Sequence, residues 1–270
     1  MLDILIPIAV LGGLGLLFGL LLAFASKAFA VEVDPMVDAL LSALPGANCG
    51  ACGYPGCQGL ANALFEGKAP ANACSIGGQK VADHVAEILG VNSVSVEKSV
   101  AAVLCQGDCD KAKDKYIYEG INDCRVAATL SDGQKGCSYG CLGCGTCKEV
   151  CEFGAIEIIN GVAVIDREKC TACMKCIEIC PKKIIDLVPY DNHAVVMCKS
   201  EDTGKEVRGK CSIGCIGCKI CVKNCPEDAF TFENNLAKIN YEKCTNCMIC
   251  VEKCPTKTIV DVVKKESLVS

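Results

Sequence analysis

The sequence predicts an α+β chain: one long apolar helix, a small helical unit, and a pair of compact cysteine-rich units built on short hairpins. Three observations carry this. Residues 4 to 25, ILIPIAVLGGLGLLFGLLLAFA, hold no charge. The chain has 270 residues, of which 26 are cysteine. The stretch CSYGCLGCGTCKEVC at 137–151 returns as CSIGCIGCKICVKNC at 211–225, with every cysteine in register.

The apolar run comes first. Its 22 residues make a helix of roughly 33 Å at about 1.5 Å per residue. That matches a hydrocarbon core of about 30 Å, so residues 1–30 are expected to form a single-pass membrane anchor. Ala28-Phe29-Ala30 resembles a signal-peptidase site, which would make the run a cleaved signal. Against this, the chain opens Met1-Leu2-Asp3 with no basic n-region, and the run is long for a signal core. An uncleaved anchor is therefore expected. Lys27 is the first positive charge and follows the run, which by the positive-inside rule puts the rest of the chain in the cytoplasm. Reducing conditions there suit free thiolates. Gly15 and Gly19 form a small-xxx-small pair that lets another helix approach closely.

Composition narrows the chemistry. A cysteine density near one in ten leaves a disulfide scaffold, zinc sites or iron–sulfur clusters. Disulfide scaffolds are usually short secreted domains. There are two histidines, His84 and His193, and no tryptophan. No G-x-G-x-x-G follows a strand and no Walker-type loop occurs, so no nucleotide-binding unit is expected. A net charge of −5 with scattered lysines disfavours nucleic acid as a partner. With so little histidine, general acid–base catalysis is an unsuitable purpose, and no catalytic residues are assigned.

Residues 31–90 read as an alanine-rich helical unit broken by the loop GANCGACGYPGC. Cys49, Cys52, Cys57 and Cys74 give four soft thiolates at close spacing, which suits a tetrahedral sulfur site of zinc or iron–sulfur type. The glycines permit backbone amides to turn toward anionic sulfur. Residues 91–136 connect this unit to the rest. VNSVSVEKSVAAVLC reads as a strand or two, and Cys105, Cys109 and Cys124 lie outside any ferredoxin spacing.

In residues 137–197, Cys141-x2-Cys144-x2-Cys147-x3-Cys151 is followed by Cys170-x2-Cys173-x2-Cys176-x3-Cys180-Pro181. This is the bacterial two-cluster ferredoxin run, in which the fourth cysteine of each run ligates the other cluster. Cys141, Cys144 and Cys147 are thus expected to share a [4Fe–4S] cluster with Cys180, and Cys170, Cys173 and Cys176 one with Cys151. Between them, FGAIEIINGVAVIDREKC reads as a hairpin turning at Asn160-Gly161. Residues 198–270 repeat the design. Cys215, Cys218 and Cys221 pair with Cys254, Cys244, Cys247 and Cys250 pair with Cys225, and a hairpin turns at Asn234-Asn235. Four such runs, three ending in Cys-Pro, argue against zinc.

Cys124 precedes Cys137 by the same interval as Cys198 precedes Cys211. Cys105, Cys109, Cys124 and Cys137 are expected to hold a further cluster, with zinc or free thiols as the alternatives. Cys198 and Cys211 are left without partners. Six sets of four then use all but two of the 26 cysteines. No run lacks a ligand, so no open catalytic iron is expected. Several clusters on one chain make an electron wire. Lys148, Lys175, Lys219 and Lys223 lie in or beside the loops, where a cation would raise a cluster potential if it were not simply solvated.

The whole chain resembles the B subunit of the Rnf electron-transport complex. The residues that carry this are the apolar N-terminal run, NCGACGYPGCQGLA at 48–61, and the lead-in cysteines before CLGCGTC and CIGCKIC. Cys151-Glu152 departs from the usual Cys-Pro. The resemblance implies a relay subunit at the inner (cytoplasmic) membrane. It would accept electrons from reduced ferredoxin at the C-terminal module and pass them within a complex that reduces NAD⁺ and pumps Na⁺ or H⁺. NAD and FMN would then sit on other subunits. Polyferredoxin subunits of hydrogenases, formate dehydrogenases or carbon monoxide dehydrogenases are a second reading, and a zinc-stabilised, membrane-tethered scaffold is a third.

Overall fold

The computed structural model describes residues 2–28, 34–93, 95 and 97–266. The first helix, α1, covers Leu2–Ala28. Its described side chains are Ile6, Val10 to Ala25 and Lys27, and most of the apolar ones are exposed. Among the described residues no helix is long and apolar enough to cross a membrane. The Ala28-Phe29-Ala30 site lies partly outside the described residues.

Three helices follow: α2 (Pro35–Ala43), α3 (Gly56–Phe65) and α4 (Gly78–Leu89). Asp34 caps α2 by accepting from the Met36 amide at 2.8 Å, with Pro35 pre-set in the first turn. Gly90, at φ 64°, ends α4 in the left-handed conformation. Val37 and Leu40 of α2 bury against Leu60 and Leu64 of α3 and Val85 of α4. This helical unit has its own small core, and Cys52, Cys57 and Cys74 pack on its edge.

The rest is built from two similar modules. The first contains β1 (Ser99–Val103), α5 (Cys124–Thr129), α6 (Thr146–Glu149), β2 (Ile156–Ile159), β3 (Val162–Ile165), α7 (Lys175–Ile179) and β4 (Ile185–Pro189). The second contains β5 (Ala194–Val196), α8 (Gly204–Lys210), α9 (Ile220–Lys223), β6 (Phe230–Glu233), β7 (Leu236–Ile239), α10 (Ile249–Lys253), β8 (Ile259–Asp261) and α11 (Val262–Glu266). In each module an antiparallel hairpin, β2–β3 or β6–β7, sits between the two cysteine runs. The turns are those the sequence predicts. Asn160 and Gly161 have φ of 46° and 74°, Asn234 and Asn235 48° and 62°, as primed two-residue turns require.

A second strand pair closes each module: β1 with β4, and β5 with β8. The single strand found between 91 and 105 is β1, and residues 94 and 96 lie outside the described residues. These pairings carry residues 99–103 and 194–196 into the modules, upstream of the boundaries at 137 and 198 that cysteine spacing alone suggests. A short apolar strand with no cysteine leaves no trace in a spacing pattern.

The two closing pairs pack on each other. Val100 and Val188 meet Val195 and Val262 in one buried cluster, flanked by Tyr190, Met197 and Tyr241. Asn246 adds a polar clasp, accepting from the His193 amide at 3.0 Å and donating to the Asp191 carbonyl at 2.9 Å. The segment between β1 and α5 is tied to the second module. Ala112 bridges Cys211, and Gln106 donates to the Lys257 carbonyl at 3.1 Å. The modules are therefore held as a pair by apolar burial and by backbone pairing.

Candidate metal centres

The cysteine loops are bent by residues in left-handed backbone. Ala172 and Met174 in the first module match Asn246 and Met248 in the second, with φ between 54° and 62°. Gly143 and Gly145 match Gly217 and Lys219. The shift is the one that carries Cys147 onto Cys221. Such bends turn successive amides inward, the geometry of an anion-binding nest. The amides of Ala155 and Ala229 reach Cys151 and Cys225, four residues earlier, at 3.4 Å in both modules. The Ala101 amide reaches Cys170 at 3.4 Å.

Four of the expected sets are brought together. In the helical unit, burial pushes the Cys74 thiol up, and Cys52, Cys57 and Cys49 stand close enough to add to it. In the first module, burial drives Cys176 up to about 12, with Cys170, Cys173 and Cys151 as its neighbouring thiols. In the second, Cys215, Cys218, Cys221 and Cys254 line one cavity, and Cys225, Cys244, Cys247 and Cys250 line another. Burial raises Cys221 to about 12 and Cys250 to about 11. At Cys254 burial also acts upward. The amides of Ile259, Thr258 and Thr256 and the Thr256 hydroxyl outweigh it, and the thiol is lowered.

The remaining expected sets are arranged differently. One cavity of the first module is lined by Cys124, Cys141, Cys147 and Cys180. Burial raises Cys147 to about 12, with Cys141, Cys124 and Cys180 next to it. Cys144 instead packs with Ala127 and Leu142 and is hydrogen-bonded to Cys124. Asp123 explains the placement of Cys124. It caps α5 by accepting from the Arg125 amide at 2.7 Å, and the Cys124 amide donates to Thr146 Oγ1 at 2.7 Å.

Cys105 and Cys137 share a cavity, but with Cys198 and Cys211 rather than with Cys109 and Cys124. Cys109 is exposed, its amide bound to the Asn160 carbonyl at 3.0 Å and its sulfur against Gly161. The lead-in segment takes it to the β2–β3 turn, away from Cys105. Sequence spacing also gave no sign of Lys135, which lines the same cavity and is buried. Of the loop lysines, Lys175 pairs with Glu152 at 2.5 Å, the residue that replaces the usual proline. Lys219 lies over the Phe232 ring at 4.5 Å.

All the donors are thiols in apolar walls with amides aimed at sulfur, a combination that fits thiolate-ligated iron–sulfur clusters. Among the described residues no three His, Cys, Asp or Glu side chains converge closely enough for a single metal ion.

The comparisons with known proteins agree with this donor chemistry. A 4Fe-4S dicluster domain family matches residues 140–185, and another of the same description matches 214–258. An Fe-S cluster family matches residues 44–76. The chain is 51% identical over 242 residues to the B subunit of the Na(+)-translocating ferredoxin:NAD(+) oxidoreductase complex of Acetobacterium woodii, covering 89% of this chain and 73% of the relative. The chain belongs to the B-subunit family of Rnf-type ion-translocating oxidoreductase complexes. Other members include the B subunit of the ion-translocating oxidoreductase complex of Methanosarcina acetivorans, 44% identical over 88% of this chain and 90% of that relative. The B subunit of the proton-translocating ferredoxin:NAD(+) oxidoreductase complex of Clostridium ljungdahlii is 42% identical over 86% and 82%. The names differ in the ion, sodium in one and proton in another.

Proposed function

We propose that this member of the B-subunit family is an electron relay. It takes electrons from reduced ferredoxin and passes them to other subunits of an ion-translocating ferredoxin:NAD⁺ oxidoreductase complex. The observation that carries this is the unbroken succession of cysteine sets. Cys49 stands near Cys173, Cys176 near Cys147, Cys105 near Cys141 and Cys198 near Cys215. Cys221, Cys250 and Cys254 share one small core. Bound [4Fe–4S] clusters supply one-electron transfer with little rearrangement, and potentials follow charge, hydrogen bonds to sulfur and exposure. The chain's own contribution is to fix the order of the thiol sets and to set how much of each meets water.

The far end of the succession is the entry point in this reading. Cys218 and Cys247 are exposed, so a soluble ferredoxin can approach the second module closely. At the other end, the helical unit follows α1, whose described apolar side chains such as Leu11, Leu16 and Phe24 are exposed. So large an apolar surface calls for a non-aqueous neighbour. We place α1 in the inner membrane as a single-pass anchor, with the clusters on the cytoplasmic side and the membrane subunits of the complex nearby.

The test is iron, acid-labile sulfide and zinc per chain on oxygen-free protein, followed by mixing with reduced ferredoxin. About four irons per four-cysteine set, and rapid bleaching of the visible absorbance by ferredoxin, are expected. Mostly zinc with little iron would overturn the relay.

A further inference from the structure

Cys198 and Cys211 have no place in a two-cluster ferredoxin run, yet both are drawn inward. Both are half-buried. They line one cavity with Cys105 and Cys137, where the modules meet.

The four positions form two equivalent pairs. Cys105 comes two residues after β1 ends at Val103, and Cys198 two after β5 ends at Val196. The preceding amides are bound alike, Leu104 to the Ile184 carbonyl at 2.8 Å and Met197 to the Thr258 carbonyl at 2.9 Å. Cys137 and Cys211 each come four residues before the first cysteine of a ferredoxin run. Each sulfur also receives the amide two residues on. Gly107 reaches Cys105 at 3.4 Å, and Tyr139, Ser200 and Ile213 serve Cys137, Cys198 and Cys211. Amides aimed at sulfur are the hydrogen bonds that cluster-ligating sulfurs accept.

A second observation points to an anion in the same cavity. Lys135, only 3% exposed, lines it. Its ammonium donates to the carbonyls of Gly107 and Gly161, and among the described residues no carboxylate forms an ion pair with it. A buried cation without a counter-charge is costly. A thiolate-ligated cluster beside it would be that counter-charge.

We infer that Cys105, Cys137, Cys198 and Cys211 ligate a [4Fe–4S] cluster at the seam, with Lys135 as its buried counter-ion. Two thiols come from each module, and Cys109 and Cys124 take no part. The inference rests on the relay reading and supplies its missing middle. It lies between the cavity of Cys141 and that of Cys215, whose thiols adjoin Cys105 and Cys198. One electron enters from one neighbour and leaves to the other, with no bond made or broken.

The experiment uses the full chain, prepared without oxygen, as wild type, as Cys198→Ala with Cys211→Ala, and as Cys109→Ala. The double variant is expected to lose about four irons and four sulfides while the other clusters keep their low-temperature EPR signals. Cys109→Ala should keep the full count. Unchanged iron in the double variant, loss of zinc instead of iron, or loss of four irons from Cys109→Ala would each overturn the inference. Should the double variant lose all iron, Cys198→Ser decides. It retains an oxygen ligand and is expected to shift one cluster's signal and potential. Full iron with every signal unmoved would overturn the seam cluster. Absence of iron from the wild type would instead sink the relay reading itself.

Discussion

Four of five neighbouring thiols in the first module line one cavity, and the fifth, Cys144, is expected to be dispensable for a cluster there. Cys124, Cys141, Cys147 and Cys180 line the cavity, while Cys144 packs against Leu142 and Ala127. Replacing Cys144 by alanine therefore removes a packed sulfur and no cavity wall. The residue is 8% exposed, so the loss is one buried group, about 0.8 kcal/mol on the methylene scale. A small cavity term brings it to about 1–2 kcal/mol. That is modest against the roughly 5–15 kcal/mol of a folded domain, and all clusters should stay. Cys124→Ala removes a thiol from the cavity itself and should lose up to about four irons. Iron and sulfide per chain, with EPR of the reduced protein, separate the two variants. If Cys144→Ala loses the cluster and Cys124→Ala keeps it, the ligand set is the one the spacing suggests. The cavity reasoning would then be wrong.

Three further outcomes are expected. Gly143→Ala should weaken the first module, because an added Cβ would stand 2.5 Å from the Gly161 carbonyl at a φ of 75°. Backbone strain of about 1–3 kcal/mol should lower the anaerobic denaturation midpoint, and an unchanged midpoint would refute the close approach. Val195→Ala opens the fully buried seam between modules. It should cost about 1–3 kcal/mol and slow electron passage from the second module to the first, as read by stopped-flow bleaching. A chain lacking residues 1–30 should remain in the supernatant when mixed with vesicles that the full chain floats with; equal flotation of both would remove the anchor.

The hairpins, their Asn-Gly and Asn-Asn turns and the grouping of the second module's cysteines around two cavities were legible because each follows from a local pattern. A turn is two residues and a run is eleven, so spacing contains the geometry. Cys105 with Cys198 is a pairing between residues far apart in the chain, produced by packing β1–β4 on β5–β8, and no local pattern encodes that. A trace existed nonetheless. Both cysteines follow the closing valine of a short strand by two residues, and counting from the strand rather than from the ferredoxin run would have aligned them. Cys144 is the opposite case. It completes a perfect C-x2-C-x2-C run, but α5 brings Cys124 into the cavity, and Cys144 stands buried behind it, hydrogen-bonded to Cys124. Lys135 looks like any loop lysine until the fold closes over it.

The seam explains what the duplication adds. A lone module closes its sheet with a β1–β4 pair and leaves the residues after β1 and before the first run at its surface. Two thiols there are too few to hold a cluster, which needs four. Packing a second copy on the first brings two more to the same place, so the site comes into being with the interface that needs it. The asymmetry between copies is consistent with this. The first carries a long insertion after β1 whose backbone pairs with the second, through Ala112 with Cys211 and Lys113 with the Lys210 carbonyl at 2.9 Å. The insertion thus fixes the relative position of the two pairs. Side-chain packing alone would allow the modules to slide, whereas a backbone bridge at Cys211 itself sets where that sulfur stands. Distance between neighbouring centres governs electron hopping, so the residues that hold the seam are as much a part of the relay as the cysteines.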